Sequence, residues 1–167
     1  MSERFRRYFI KAKDVQSLLL GASQTLKMEL GGIFKSKPSV EVVETDFADI
    51  YLINGKPLLA RVEGKVLPTL LFSELFNLLS RVVVDMGAVP RVCNGADVMA
   101  PGIVRFEGKF RKGDLVLVVD EKHGKPIALG EIMYDKDEAE KVNRGLVVKN
   151  IHFVGDKIWN FIKRFEV

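Results

Sequence analysis

The chain is expected to fold as an α+β protein in two parts: a small N-terminal α/β domain with an antiparallel sheet over residues 1–80, then a pseudo-barrel of mixed β-strands with short helices over 81–167. Three observations predict this. After Asp14, the apolar residues Val15, Leu18, Leu19, Ala22 and Leu26 recur at the i, i+3, i+4 spacing of an amphipathic helix. Residues 40–62 then read as short β runs around Asn54-Gly55, the strongest two-residue hairpin signal. From Val82 onward, brief apolar runs alternate with Gly and Asp turns, the pattern of a small barrel.

In order, Tyr8-Phe9-Ile10 predicts a short strand, and Asp14 is placed to cap the first helix, which Gly31-Gly32 is expected to end. Strands follow at 40–44, 50–53 and 57–62. Pro68 and Thr69 open a second helical run whose apolar face is Leu70, Leu71, Leu75, Phe76 and Leu79. Arg81-Val82-Val83-Val84-Asp85 reads as a buried strand, and residues 87–93 as one short helix, with Pro90 tolerated in its first turn. Gly95 stands where a helix C-terminus favours positive φ. Strands are expected at 103–106, 115–119 and 127–133, with a hairpin tip at Lys109 to Lys112 and a turn at Gly113-Asp114. Leu115-Val116-Leu117-Val118-Val119 lacks alternation, which implies cover on both faces. Asp135-Lys136-Asp137-Glu138 resembles a capping box for a helix closed by Gly145. Residues 146–151 return to β, and Gly155-Asp156 starts a terminal helix with Ile158, Phe161, Ile162 and Phe165 on one face.

The second half resembles the PUA domain, named after pseudouridine synthases and archaeosine transglycosylases. The resemblance lies in the order and spacing of Gly95-Ala96-Asp97, Pro101-Gly102-Ile103, Gly113-Asp114, Gly130-Glu131 and Asn150-Ile151-His152. Ahead of it, VETDFADIYLINGKPLLARVEGKVLPTLLFSELF is similar to the malignant T-cell-amplified sequence family and its archaeal relatives. The resemblance implies a small translation-associated RNA-binding protein without a catalytic domain.

The formal net charge of +4 is a mild surplus that favours polyanions, and each half carries +2, so an RNA surface must be assembled by folding. The single cysteine, Cys93, excludes an intrachain disulfide framework and a multi-cysteine zinc site, and fits a reducing compartment. Lys11, Lys13 and Asp14 interrupt the apolar N-terminal run before a signal core forms, and no apolar run reaches membrane-spanning length. A cytoplasmic protein is expected.

No cofactor, metal or catalytic residue is expected. Cys93 reads as a packed structural thiol, His152 as a hydrogen-bonded barrel histidine and His123 as a solvated loop residue. By the PUA resemblance, the RNA-meeting surface is the first helix of the second half, the glycine loop and the strand beyond it: Arg91, Asn94, Gly95, Ala96, Asp97, Val98, Pro101, Gly102 and Arg105. Small residues let a nucleotide approach the backbone, and arginines supply phosphate contacts. Lys109, Arg111 and Lys112 are expected to reach the phosphate backbone beside that loop.

The resemblance implies binding to small-subunit rRNA or the tRNA acceptor end, with an initiation-factor-like protein as a further partner. Two alternatives remain open from sequence: an RNA-binding specificity subunit of an RNA-modifying enzyme, and a protein-interaction scaffold.

Overall fold

The computed structural model describes residues 5–34 and 36–165. The chain divides into two compact units, Met1–Phe72 with Asn160–Val167, and Ser73–Trp159. The division expected at 80/81 assigns residues 73–80 and 160–167 to the opposite units.

In the first unit β1 (Arg6–Phe9), β2 (Val40–Glu44), β3 (Asp49–Ile53), β4 (Lys56–Val62) and β5 (Lys65–Pro68) form an antiparallel sheet in chain order. Asn54 and Gly55 have φ of 51° and 85°, the positive pair a type I′ turn requires. Glu63-Gly64 repeats this geometry at 50° and 81° and delivers β5, a strand the sequence reading lacks. Helix α1 (Ala12–Leu26) packs against β5 and buries Val15, Leu18, Ala22 and Leu26.

Three expectations for this unit are corrected. Lys11, not Asp14, occupies the N-cap, and Asp14 sits in the first turn, where its charge faces the positive end of the helix dipole. The helix stops at Lys27, left-handed at φ 56°, before the glycines, which belong to a separate 3-10 turn, Gly31–Ile33. The helix expected from Pro68 is absent. Pro68 ends β5, and buried Thr69 turns its hydroxyl back to donate to the Pro57 carbonyl at 2.6 Å. Phe72 is fully buried, and only the 3-10 segment Ser73–Leu78 follows.

The second unit is a curled six-stranded sheet in the order β7-β11-β10-β9-β6-β8, comprising β6 (Arg81–Val84), β7 (Val98–Met99), β8 (Ile103–Glu107), β9 (Leu115–Asp120), β10 (Pro126–Ile132) and β11 (Leu146–Phe153). Its core is valine-rich, with Val82, Val84, Val116, Val118, Val147 and Val148 at the centre. β6 runs parallel to β9 and antiparallel to β8, so the sheet is mixed, as a pseudo-barrel requires. The segment between β8 and β9 is therefore a crossover past β6 and not a hairpin tip. The short helices are α2 (Val89–Val92), α3 (Lys136–Ala139) and α4 (Lys157–Ile162). Asp135 stands at the α3 N-cap but makes no capping bond, because its carboxylate accepts the Lys112 N–H at 2.8 Å across the unit. Asp156 does cap α4, accepting the Trp159 N–H at 2.6 Å.

Candidate nucleic-acid interface

Helix α2 is a single turn with Pro90 in its first positions, where a missing N–H costs nothing. Asp85 fixes its start by accepting the Ala88 N–H at 2.8 Å. Its end is tied off by main-chain bonds from Asn94 and Ala96 to the Arg91 carbonyl and from Gly95 to the Val92 carbonyl. Gly95 has φ 96°, and a side chain there would abut the Phe153 ring at 3.4 Å. The positive φ selects glycine, whereas the ring would make only an ordinary van der Waals contact with a Cβ.

The loop is held from beneath by β11. The Asn150 carboxamide donates to the Val92 carbonyl at 3.1 Å and the Ala96 carbonyl at 3.0 Å, while its main-chain N–H donates to Asp97 at 2.8 Å. Asn94, Gly95 and Ala96 remain exposed, as does Arg91 on the adjoining helix. Their backbone is thus presented outward on a rigid base.

The other expected residues divide. Asp97 is half-buried with its carboxylate committed to Asn150, and Val98 is 2% exposed, facing the core. Pro101 is exposed, and Gly102 lies under the start of α2, where an added Cβ would meet the Ala88 Cβ at 3.1 Å. Arg105 is exposed but its Nε already donates to Glu107 at 2.9 Å, so a phosphate must compete with a carboxylate for it. Lys109, Arg111 and Lys112 are exposed but occupy the far end of β8 from Gly102, a strand length of roughly 17 Å away. The structure does not place them beside the Pro101-Gly102 end.

Asn150 and Phe153 are the residues sequence reasoning underused: the Asn150-Ile151-His152 signature was visible, but not the loop it supports.

His152 is 2% exposed and its Nδ1 lies 2.7 Å from an Asp156 carboxylate oxygen, which also accepts the Phe153 N–H. It is the hydrogen-bonded barrel histidine anticipated. Burial alone would raise the Asp156 pKa, but the hydrogen bond and charge of His152, with the Trp159 and Phe153 N–H groups, hold it below the usual carboxylate value. Cys93 is half-buried against the core, and burial pushes its thiol pKa up, against a weaker downward pull from Lys125. His123 is exposed in a turn organised by buried Asp120, which accepts its N–H. Among the described residues no group of three or more His, Cys, Asp or Glu side chains could hold a metal ion, and no helix is long and apolar enough to cross a membrane.

Comparison with known proteins places this geometry. The PUA domain model matches residues 80–154, and a domain of unknown function, DUF1947, matches residues 6–73. An uncharacterised protein of Methanocaldococcus jannaschii is 40% identical over 164 residues, covering 93% of this chain and 96% of that one. The chain belongs to this PUA-domain family. The PUA match takes in α2, the glycine loop and all six strands of the mixed sheet. Translation machinery-associated protein 20 of Saccharomyces cerevisiae is 28% identical over 77% of this chain and 76% of its own length. Malignant T-cell-amplified sequence 1-B of Xenopus laevis is 29% identical over 89% and 85%. A crystal structure of a PUA domain from Aeropyrum pernix K1, in complex with tartrate, superposes with a TM-score of 0.83 at 28% identity, over 96% of this chain and 92% of that one.

Proposed function

We propose that this PUA protein is a non-catalytic, cytoplasmic RNA-binding factor of translation, which grips small-subunit rRNA or the tRNA acceptor end through Arg91, the loop 94–97 and the Pro101-Gly102 turn. The observation that carries this reading is the exposed, bulk-free loop fixed from below by Asn150. Such a loop, its N–H groups at 94–96 already bonded within it, offers main-chain carbonyls to a ribose or base without the entropic cost of ordering a flexible segment, and Arg91 stands beside it for a phosphate. The relatives named for the translation machinery support the setting. Asp97, bonded through its carboxylate to the Asn150 N–H, and core-facing Val98 hold the loop in place. Lys109, Arg111 and Lys112 contact only an RNA long enough to run the length of β8. An initiation-factor-like protein is the further partner that the family resemblance suggests.

The test is cosedimentation of the full chain with isolated small ribosomal subunits at low and moderate salt, with free tRNA as competitor. Saturable, salt-sensitive cosedimentation is expected, lost in Arg91→Glu with the fold retained. A protein that stays at the top of the gradient yet binds tRNA belongs instead to an RNA-modifying assembly. One that binds neither is a protein scaffold.

A further inference from the structure

β8 is the last strand of the six-stranded sheet and pairs on one side only, with β6. Among the described residues, the main chain of residues 104–107 makes no hydrogen bond beyond that pairing. Its open side is an unpaired row of N–H and C=O groups. A cavity of about 290 Å³ lies there, lined by Ile103, Val104, Arg105 and Phe106 and, across from them, by Ala139, Glu140 and Val142. Successive side chains of a strand point to opposite faces. A cavity that touches four in a row therefore runs along the strand's edge, not over one of its faces.

Three features define what fits. The open edge matches an extended backbone, which can continue the sheet by pairing with β8. The exposed lining is more polar than apolar, as a site for main-chain pairing should be, but Ile103, Val104, Phe106 and Val142 bring apolar side chains to it and Val104 is 47% exposed, so a strand laid here covers an apolar side chain that the fold leaves open. The charge balance points to a cation: the one cationic side chain in the lining, Arg105, is tied to Glu107, whereas the Glu140 carboxylate is exposed and pairs with no cation among the described residues. A phosphate backbone would meet the Glu140 carboxylate here, and an Arg105 already paired with Glu107.

We propose that the open edge of β8, with the cavity between it and residues 139–142, is a docking groove for an extended polypeptide segment of a partner protein, one that pairs with β8, sets an apolar side chain in the cavity and presents a lysine or arginine to Glu140. The groove adjoins the Pro101-Gly102 turn, with Ala100 and Ile103 both in its lining, but does not include the loop at Gly95, and the proposal stands whether or not that loop binds RNA.

The experiment selects a phage-displayed library of random dodecapeptides on the full chain, with counter-selection on Glu140→Arg, and maps a synthetic copy of the enriched peptide by amide NMR. The expected result is an enriched peptide with an apolar residue near a basic one. It should shift the amides of residues 103–107 and 139–142, slow hydrogen exchange along β8, and bind Glu140→Arg and Val104→Lys at least tenfold more weakly. Both substitutions are at exposed positions, and the amide fingerprint verifies their folding. No enrichment over blank beads, shifts confined to other surfaces, or affinity indifferent to Glu140→Arg would each overturn the proposal. So would a tRNA titration that shifts the same groove amides while the peptide does not.

Discussion

Asn150 spends both of its amide donors on the loop, one on the Val92 carbonyl and one on the Ala96 carbonyl. Truncation in Asn150→Ala leaves these carbonyls without their side-chain partner and is expected to cost about 1–3 kcal/mol. Asn150→Asp is expected to cost more, because a carboxylate has no donor to give and faces two carbonyl oxygens. Urea unfolding of the two variants checks the order, and an Asp variant as stable as wild type would show that the carboxamide does not hold the loop. The turn that follows the same strand sets an acid limit. The Asp156 pKa is depressed in the folded state, so its contribution is present above the unfolded carboxylate value of about 3.9 and is lost as pH falls through the lower folded value. The stability advantage of wild type over Asp156→Asn should therefore shrink below about pH 4 in denaturant titrations. Gly95 was legible in the sequence because a helix stop demands positive φ. Asn150 was not, because its partners lie 54 and 58 residues away and an asparagine in a β run announces no partner.

Elements were legible where a local rule chose between alternatives. Asn54-Gly55 fixed the β3–β4 hairpin, whereas Glu63-Gly64 does the same work with a residue that seldom adopts positive φ, and β5 was missed with it. The apolar run after Pro68 fits a helical face as well as it fits a strand end and a buried turn; the decision comes from Thr69 and Phe72, which are buried by tertiary packing. In the second unit the parallel β6–β9 pairing, invisible to period-two patterning, converts an expected hairpin tip into a crossover. Gly130 shows how tightly β10 and β11 are locked. It sits at the register shift between these strands, and a Cβ there would strike Val148 Cγ1 and lie 2.6 Å from the Lys149 carbonyl oxygen. Because one obstacle is main chain, it cannot swing aside. Gly130→Ala is expected to destabilise by about 3 kcal/mol, the upper end for overpacking, read as a lowered thermal midpoint. A variant within 0.5 kcal/mol of wild type, a roughly neutral change, would mean the two strands part easily.

At the scale of the whole molecule, the two-part organisation followed from pattern and spacing and the mixed sheet from the resemblance to the PUA domain, but membership of the last segment followed from neither. An amphipathic face on residues 158–165 says only that something covers it. The contacts supply the answer: residues from Asn160 onward belong with the first unit, where Phe161 is 4% exposed and meets Phe5 edge-on at 5.8 Å and Phe47 at 6.0 Å between ring centres. The first unit's core is therefore closed by residues about a hundred positions downstream of the rest of it. Phe161→Ala removes a buried aromatic ring and is expected to cost that unit about 3–5 kcal/mol. Hydrogen exchange should then show amides of β1–β3 losing protection, while those of β9 and β10, which belong to the other compact unit, retain theirs. Equal loss of protection across β9 and β10 would show instead that the chain unfolds as one cooperative whole, with the Gly95 loop no more stable than the N-terminal sheet.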